Sequence, residues 1–277
     1  TAVGLEGIGV APGARWIAVK VLNGDGYGYD SWIHAGFQWL LAPGGDPSLA
    51  PDVVNCSWGD PNAFNTTFQA DIRALRAAGI IPVFAAGNEG PSPGSVVSPA
   101  SLPEAIAVGA SDPYDEVAPF SSRGPSPWGE IRPHVVAPGV NVRSSLPGGT
   151  YASWRGTSMA TPHVTGLIAL MRSVSPTLSV TQTLFIITST AVPLSTTIPN
   201  NDSGWGRIDA FAAVATLLNA GSIQGTVWGT EGVPIPNALV SAISKDETGR
   251  GNTVTDSSGH YTLLLAPGLY NVTASAF

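Results

Sequence analysis

The sequence predicts an α/β fold, a parallel sheet with helices on both faces, followed by a small all-β sandwich. Apolar runs of strand length alternate with segments of helical spacing through about Asn219. Connections with a helix of ten or more residues between strands favour parallel pairing. Beyond Ala220 the pattern changes to short alternating strands divided by Pro, Gly and Asp turns.

The elements follow in order. Residues 16–22 read as a strand, Gly24, Gly26 and Gly28 as a loop, and 31–41 as a helix. Residues 52–57 form a buried strand, 66–78 a helix stopped by Gly79, and 80–86 a fully apolar strand. Short strands are expected at 105–109 and 135–137, helices from Ser158 and over 180–189, and a last helix to about Asn219. This divides the chain into domains 1–219 and 220–277. In the second, strands are expected at 223–227, 238–242, 252–255 and 260–265, and the alternation of 270–277 is still running at Phe277. With Thr1 in place of a methionine, both ends read as cut.

With 277 residues, 43% hydrophobic and 11% charged, the chain can bury a large core, which excludes compositional disorder. Nineteen acidic against 12 basic residues give a net charge of −7 without any Lys/Arg cluster, so no nucleic-acid footprint is present. The longest apolar runs fall far short of the ~20 residues of a membrane helix, so no membrane span is expected. Cys56 is the only cysteine, which excludes an intrachain disulfide and a cysteine metal cluster; its apolar neighbours make it a buried core residue.

The chemistry concentrates in Gly156-Thr157-Ser158-Met159-Ala160-Thr161-Pro162-His163. Gly156 permits close backbone approach, Thr157-Ser158 is expected to cap a helix, and Val164, Leu167, Ile168 and Leu170 continue it as a buried rod. Ser158 is thereby placed at a helix N-terminus, where its hydroxyl can act as a nucleophile. Ala85-Ala86-Gly87-Asn88 ends an apolar strand with a turn that exposes the Asn88 amide at the carboxyl edge of the sheet. The octapeptide and the Ala-Ala-Gly-Asn segment resemble the subtilisin-like serine peptidases, and further matches run through 9–14, 54–59, 120–125 and 135–139.

That resemblance implies a three-layer subtilisin-like sheet and a serine endopeptidase acting through an acyl-enzyme on Ser158. Asn88, with the Ser158 N–H, would hold the oxyanion. Ser57, Trp58 and Gly59 on one side and Ala85, Ala86 and Gly87 on the other would wall the primary specificity pocket, whose small residues permit a large apolar side chain. The chain departs from the family at His134, where aspartate is usual, and at Cys56.

The base and its orienting carboxylate are not found. His163 lies five residues past Ser158, so at ~100° per residue it points ~140° away and sits ~7.5 Å along the axis. His34, His134 and His260 read as structural. In the family the aspartate and the histidine precede the serine, and Thr1-Ala2-Val3-Gly4 resembles the end of the histidine's helix. Both residues are therefore expected upstream, the first strands of the sheet are expected to be missing, and the isolated fragment is expected to be poorly stable and inactive. The alternative is a pseudopeptidase or extracellular binding scaffold.

Gly225-Thr226-Val227, Pro234-Ile235-Pro236-Asn237-Ala238-Leu239-Val240, Thr255-Asp256-Ser257-Ser258-Gly259-His260-Tyr261 and Pro267-Gly268-Leu269-Tyr270-Asn271-Val272 resemble, in that order, the carboxypeptidase regulatory-like domains, which are prealbumin-like sandwiches. The subtilase resemblance further implies a secreted protein with protein or peptide substrates and an inhibitory propeptide. No cofactor is expected for catalysis. Structural calcium is implied, but Asp25, Asp30, Asp46 and Asp60 are scattered and form no recognisable loop, so its ligands are unknown.

Overall fold

Four of the apolar runs pair as a parallel sheet in sequence order: β1 Val53–Cys56, β2 Ile81–Ala85, β3 Ile106–Ser111 and β4 Val135–Pro138. This is a computed structural model, and it describes residues 1–218, 221–245, 250–265 and 268–276. The expected helix end at Asn219, the boundary at Ala220, and Ala266, Pro267 and Phe277 lie outside them. Every residue of β2 and β3 is buried, as expected for strands of a parallel sheet covered on both faces.

Helices α1 Asp30–Leu41 and α2 Gln69–Ala77 bury Ile33, Phe37, Leu40, Ile72 and Leu75 in one cluster with Cys56 of β1 and Phe84 of β2. Burial raises the Cys56 thiol pKa, so the group is an inert core side chain, as its sequence context predicts. In the same cluster the Trp58 ring stands 5.7 Å from Phe68, 5.8 Å from Phe84 and 6.1 Å from Phe37, centroid to centroid, with the first two pairs edge-to-face.

Residues 16–22 correct the sequence-based expectation: they join no ladder, and Trp16 is 71% and Ile17 44% exposed. Their composition suits a strand, but pairing needs a neighbour, and none flanks them. Among the described residues β1 pairs only with β2. A cleft of about 350 Å³ is lined by Val19, Lys20, Val21 and Leu22, by Ile33, Gly36, Phe37 and Leu40 of α1, and by residues 54–58. Among the described residues no backbone hydrogen bond joins 16–22 to β1.

Past β4 the chain forms a hairpin that the sequence reading missed, β5 Val142–Leu146 with β6 Thr150–Trp154, turned at Gly148 and Gly149, both at positive φ. Then comes α3 Thr157–Val174. Contacts divide the chain into two units: Thr1–Leu170 with Ala191–Ile208, and Met171–Thr190 with Asp209–Phe277. The second takes in α4 Val180–Ser189, closed by a Ser179/Gln182 capping box, and α5 Ala210–Leu218. It also holds two antiparallel sheets, β7 Gly221–Thr226 with β10 His260–Leu265, and β8 Leu239–Ser244 between β9 Arg250–Val254 and β11 Tyr270–Ser275. Val240, Ala242, Leu263 and Leu265 fill the core of this antiparallel region.

His134 enters β4 partly buried, and its Nδ1 accepts a hydrogen bond from the Ala107 N–H at 3.0 Å. Burial first, then the positive charges of Arg132 and Arg76, hold its pKa well below 6.5. The folded state thus refuses a proton that the unfolded chain accepts. The contribution of His134 to stability is complete above about pH 6.5 and declines below it, with a slope approaching about 1.4 kcal/mol per pH unit for this one proton. Urea unfolding between pH 7.5 and 5 is expected to show a shallower acid loss in H134N, which keeps an acceptor but cannot titrate. Equal slopes would rule the mechanism out.

Candidate active site

Two strand ends and one helix start converge at the carboxyl edge of the sheet. β1 runs into Ser57-Trp58-Gly59 and β2 into Ala86-Gly87-Asn88. Gly87 turns at φ +110, and a Cβ there would lie 2.6 Å from Ser122 Oγ and 2.7 Å from Val97 Cγ1, so glycine is required on both counts.

Asn88 Oδ1 accepts from the Thr157 N–H at 2.9 Å and from Thr157 Oγ1 at 3.1 Å. The cap of α3 therefore comes from Asn88 across the fold, and not from Thr157 and Ser158, which lie within the helix. With Oδ1 engaged on its acceptor side, the Asn88 Nδ2 hydrogens are the group left to donate. Ser158 Oγ donates to the Ser57 carbonyl at 3.3 Å, and Ser57 Oγ donates to the Ser158 carbonyl at 3.0 Å.

A cavity of about 160 Å³ is lined by Trp58, Gly59, Pro61, Ala85, Gly87, Asn88, Glu89, Val97, Thr157 and Ser158. Of the expected wall residues it takes in Trp58, Gly59, Ala85 and Gly87. Ala86 lies wholly inside the hydrophobic cluster, and Ser57 contributes through its bonds to Ser158. Val97 and Glu89 are lining residues that sequence reasoning missed. Val97 is brought there by its N–H bond to the Ala86 carbonyl at 3.0 Å, a tertiary contact without a local signature; Glu89, beside Asn88, was within reach of the motif.

Each histidine has a partner other than Ser158. His163 Nδ1 lies 2.9 Å from the Met159 carbonyl, with its pKa lowered chiefly by burial. His34 Nδ1 meets Asp71 Oδ2 at 2.8 Å, and His260 Nδ1 meets Ser258 Oγ at 3.3 Å. Among the described residues no three His, Cys, Asp or Glu side chains converge to hold a metal. Asp46 and Asp60 instead accept backbone N–H bonds from Ser48 and Asn62 in their own turns. No described helix is long and apolar enough to cross a membrane.

The Subtilase family model matches residues 2–206. The chain belongs to the subtilase family. The Carboxypeptidase regulatory-like domain model matches residues 222–277. Bacillopeptidase F of Bacillus subtilis (strain 168) is 45% identical over 239 residues, which are 81% of this chain and 17% of that protein. Subtilisin E of the same organism is 43% identical over 189 residues, 68% of this chain and 46% of the relative. Subtilisin BL of Lederbergia lenta is 41% identical over 206 residues, 74% of this chain and 70% of the relative. This subtilase chain therefore spans less than half the length of the first two of these relatives.

Proposed function

We propose that this chain is the serine-bearing part of a serine endopeptidase. Ser158 attacks the peptide carbonyl, and the Asn88 amide with the Ser158 N–H holds the oxyanion. A histidine and an aspartate outside these 277 residues act as base and orienting group. The observation that carries this reading is the Asn88–Thr157 pair: by fixing Oδ1 it orients the amide as a donor beside the nucleophile. Protein or peptide substrates, an inhibitory propeptide, stabilising calcium and secretion are the accompanying proposals, drawn from the relatives' family.

The open cleft at β1 supports the placement of the missing groups. In this family the aspartate-bearing strand lies beside the segment equivalent to 16–22, where the backbone here is unpaired. A strand in that cleft would deliver its carboxyl end next to Ser57, which is bonded to Ser158. Residues 1–277 alone are accordingly expected to give no peptide hydrolysis above background. The longest natural protein containing them is expected to turn over a casein or chromogenic peptide substrate. Hydrolysis by the isolated chain would refute the division of the triad, and inertness of the long protein would favour the binding-scaffold alternative.

A further inference from the structure

The helix that carries the nucleophile contains a proline one turn later. Pro162 lies inside α3, four residues after Ser158. In an α-helix the carbonyl of residue i accepts from the N–H of residue i+4, and proline has no N–H. The main-chain carbonyl of the nucleophile is therefore left without its helical partner, at the point of the chain where position matters most.

A side-chain relay supplies the lost bond. Ser57 Oγ donates to the Ser158 carbonyl at 3.0 Å. That hydroxyl in turn accepts from Asn55 Nδ2 at 2.9 Å, and Asn55 Oδ1 accepts from Thr165 Oγ1 at 3.1 Å. Thr165 is on α3, seven residues past Ser158, so the relay leaves the helix, crosses β1 and returns to its first turn. The direction of each hydrogen follows from the chemistry. An Asn amide nitrogen can only donate, so Ser57 Oγ must accept there and has its own hydrogen free for the carbonyl. The Thr165 hydroxyl has one hydrogen and a second acceptor within reach, the Thr161 carbonyl at 3.2 Å, so Asn55 competes with the helix for it.

We infer that Asn55, Ser57 and Thr165 form a brace that replaces the hydrogen bond Pro162 removes and so fixes the Ser158 main chain. Asn55 and Thr165 are positioning residues: they act through Ser57 and need not touch substrate. The catalytic part of this inference rests on the peptidase reading above, whereas the brace itself does not.

One measurement reads the brace directly in the 277-residue chain. The two methionines, Met159 and Met171, follow Ser158 and Leu170, so a Ser–Met pair occurs once. Labelling serine with 13C at the carbonyl and methionine with 15N gives a single HNCO peak, that of the Ser158 carbonyl. The peak is expected to move upfield in S57A, N55A and T165V, and to stay near its wild-type place in T165S, which keeps the hydroxyl. A peak unmoved in S57A and N55A, with both proteins folded by circular dichroism, overturns the brace.

The second measurement is kinetic, in the long natural protein. N55A and T165V are expected to lower kcat between about tenfold and a hundredfold, the scale for slight misplacement of a reacting group, with KM changed less than about twofold. Adding P162A, which restores an N–H at that position, is expected to shrink the N55A loss, and strictly additive effects would count against the relay. If the carbonyl peak moves while kcat does not, the brace is structural only and the positioning role fails. If the unmutated long protein hydrolyses nothing, the peptidase reading fails and the carbonyl peak alone decides the brace.

Discussion

Replacing Ser158 by alanine in the long natural protein is expected to lower kcat about a million-fold, the scale measured for triad knock-outs in a subtilisin. The argument is chemical. Only the hydroxyl can form the acyl-enzyme proposed above, and among the described residues its one hydrogen bond is the 3.3 Å contact with the Ser57 carbonyl, so its removal leaves the packing in place. Thermal unfolding should move little while hydrolysis collapses to the residual supplied by binding and oxyanion donors, about 10³- to 10⁴-fold over water. A chromogenic peptide assay on S158A beside the unmutated protein decides it. Equal rates would show that the serine is not the nucleophile and would turn attention to binding.

Asn88 is expected to show the second largest effect, and two substitutions separate its two jobs. Its Oδ1 caps α3 through Thr157, and its Nδ2 is the donor that the proposed mechanism assigns to the oxyanion. N88A loses both, so a kcat fall of roughly 100- to 1,000-fold, the subtilisin precedent, should accompany a stability loss of about 1 kcal/mol for the cap. N88D keeps the acceptor and discards the donor. It should hold its stability, yet lose at least as much kcat, because a carboxylate would repel the developing negative oxygen. Should N88D retain activity within severalfold, the amide is not the donor, whatever its role at the helix.

Much of this was legible because the chemistry is local. The Ser158 octapeptide, the Asn88 turn and the fully buried strands β2 and β3 each announce themselves within a dozen residues. What sequence could not supply was pairing across distance. Residues 16–22 have the composition of a strand, but a ladder belongs to two segments, and no second one stands beside them. The β5–β6 hairpin was missed although Gly148-Gly149 lies between its arms, because β6 has no buried face to set an apolar alternation: Thr150, Tyr151, Ser153 and Trp154 are all exposed, and in β5 Val142 alone is buried. The missing N–H at Pro162 was readable from spacing, whereas its replacement by Ser57, 101 residues before Ser158, was not. The cap of α3 failed in the same way, since a Thr-Ser pair at a helix start looks sufficient until a partner on another loop takes over the bond.

One side chain lines both of the hollows described above. Trp58 lines the cleft beside β1 and also the small cavity beside Ser158, while Phe37, Phe68 and Phe84 close around it. It is a party wall: a guest that shifts the indole from one room rearranges the other, and the three phenyl rings leave the ring little room to give. Packing in the cleft beside β1 and packing around the cavity beside Ser158 are thus parts of a single problem, with one aromatic ring as its common term.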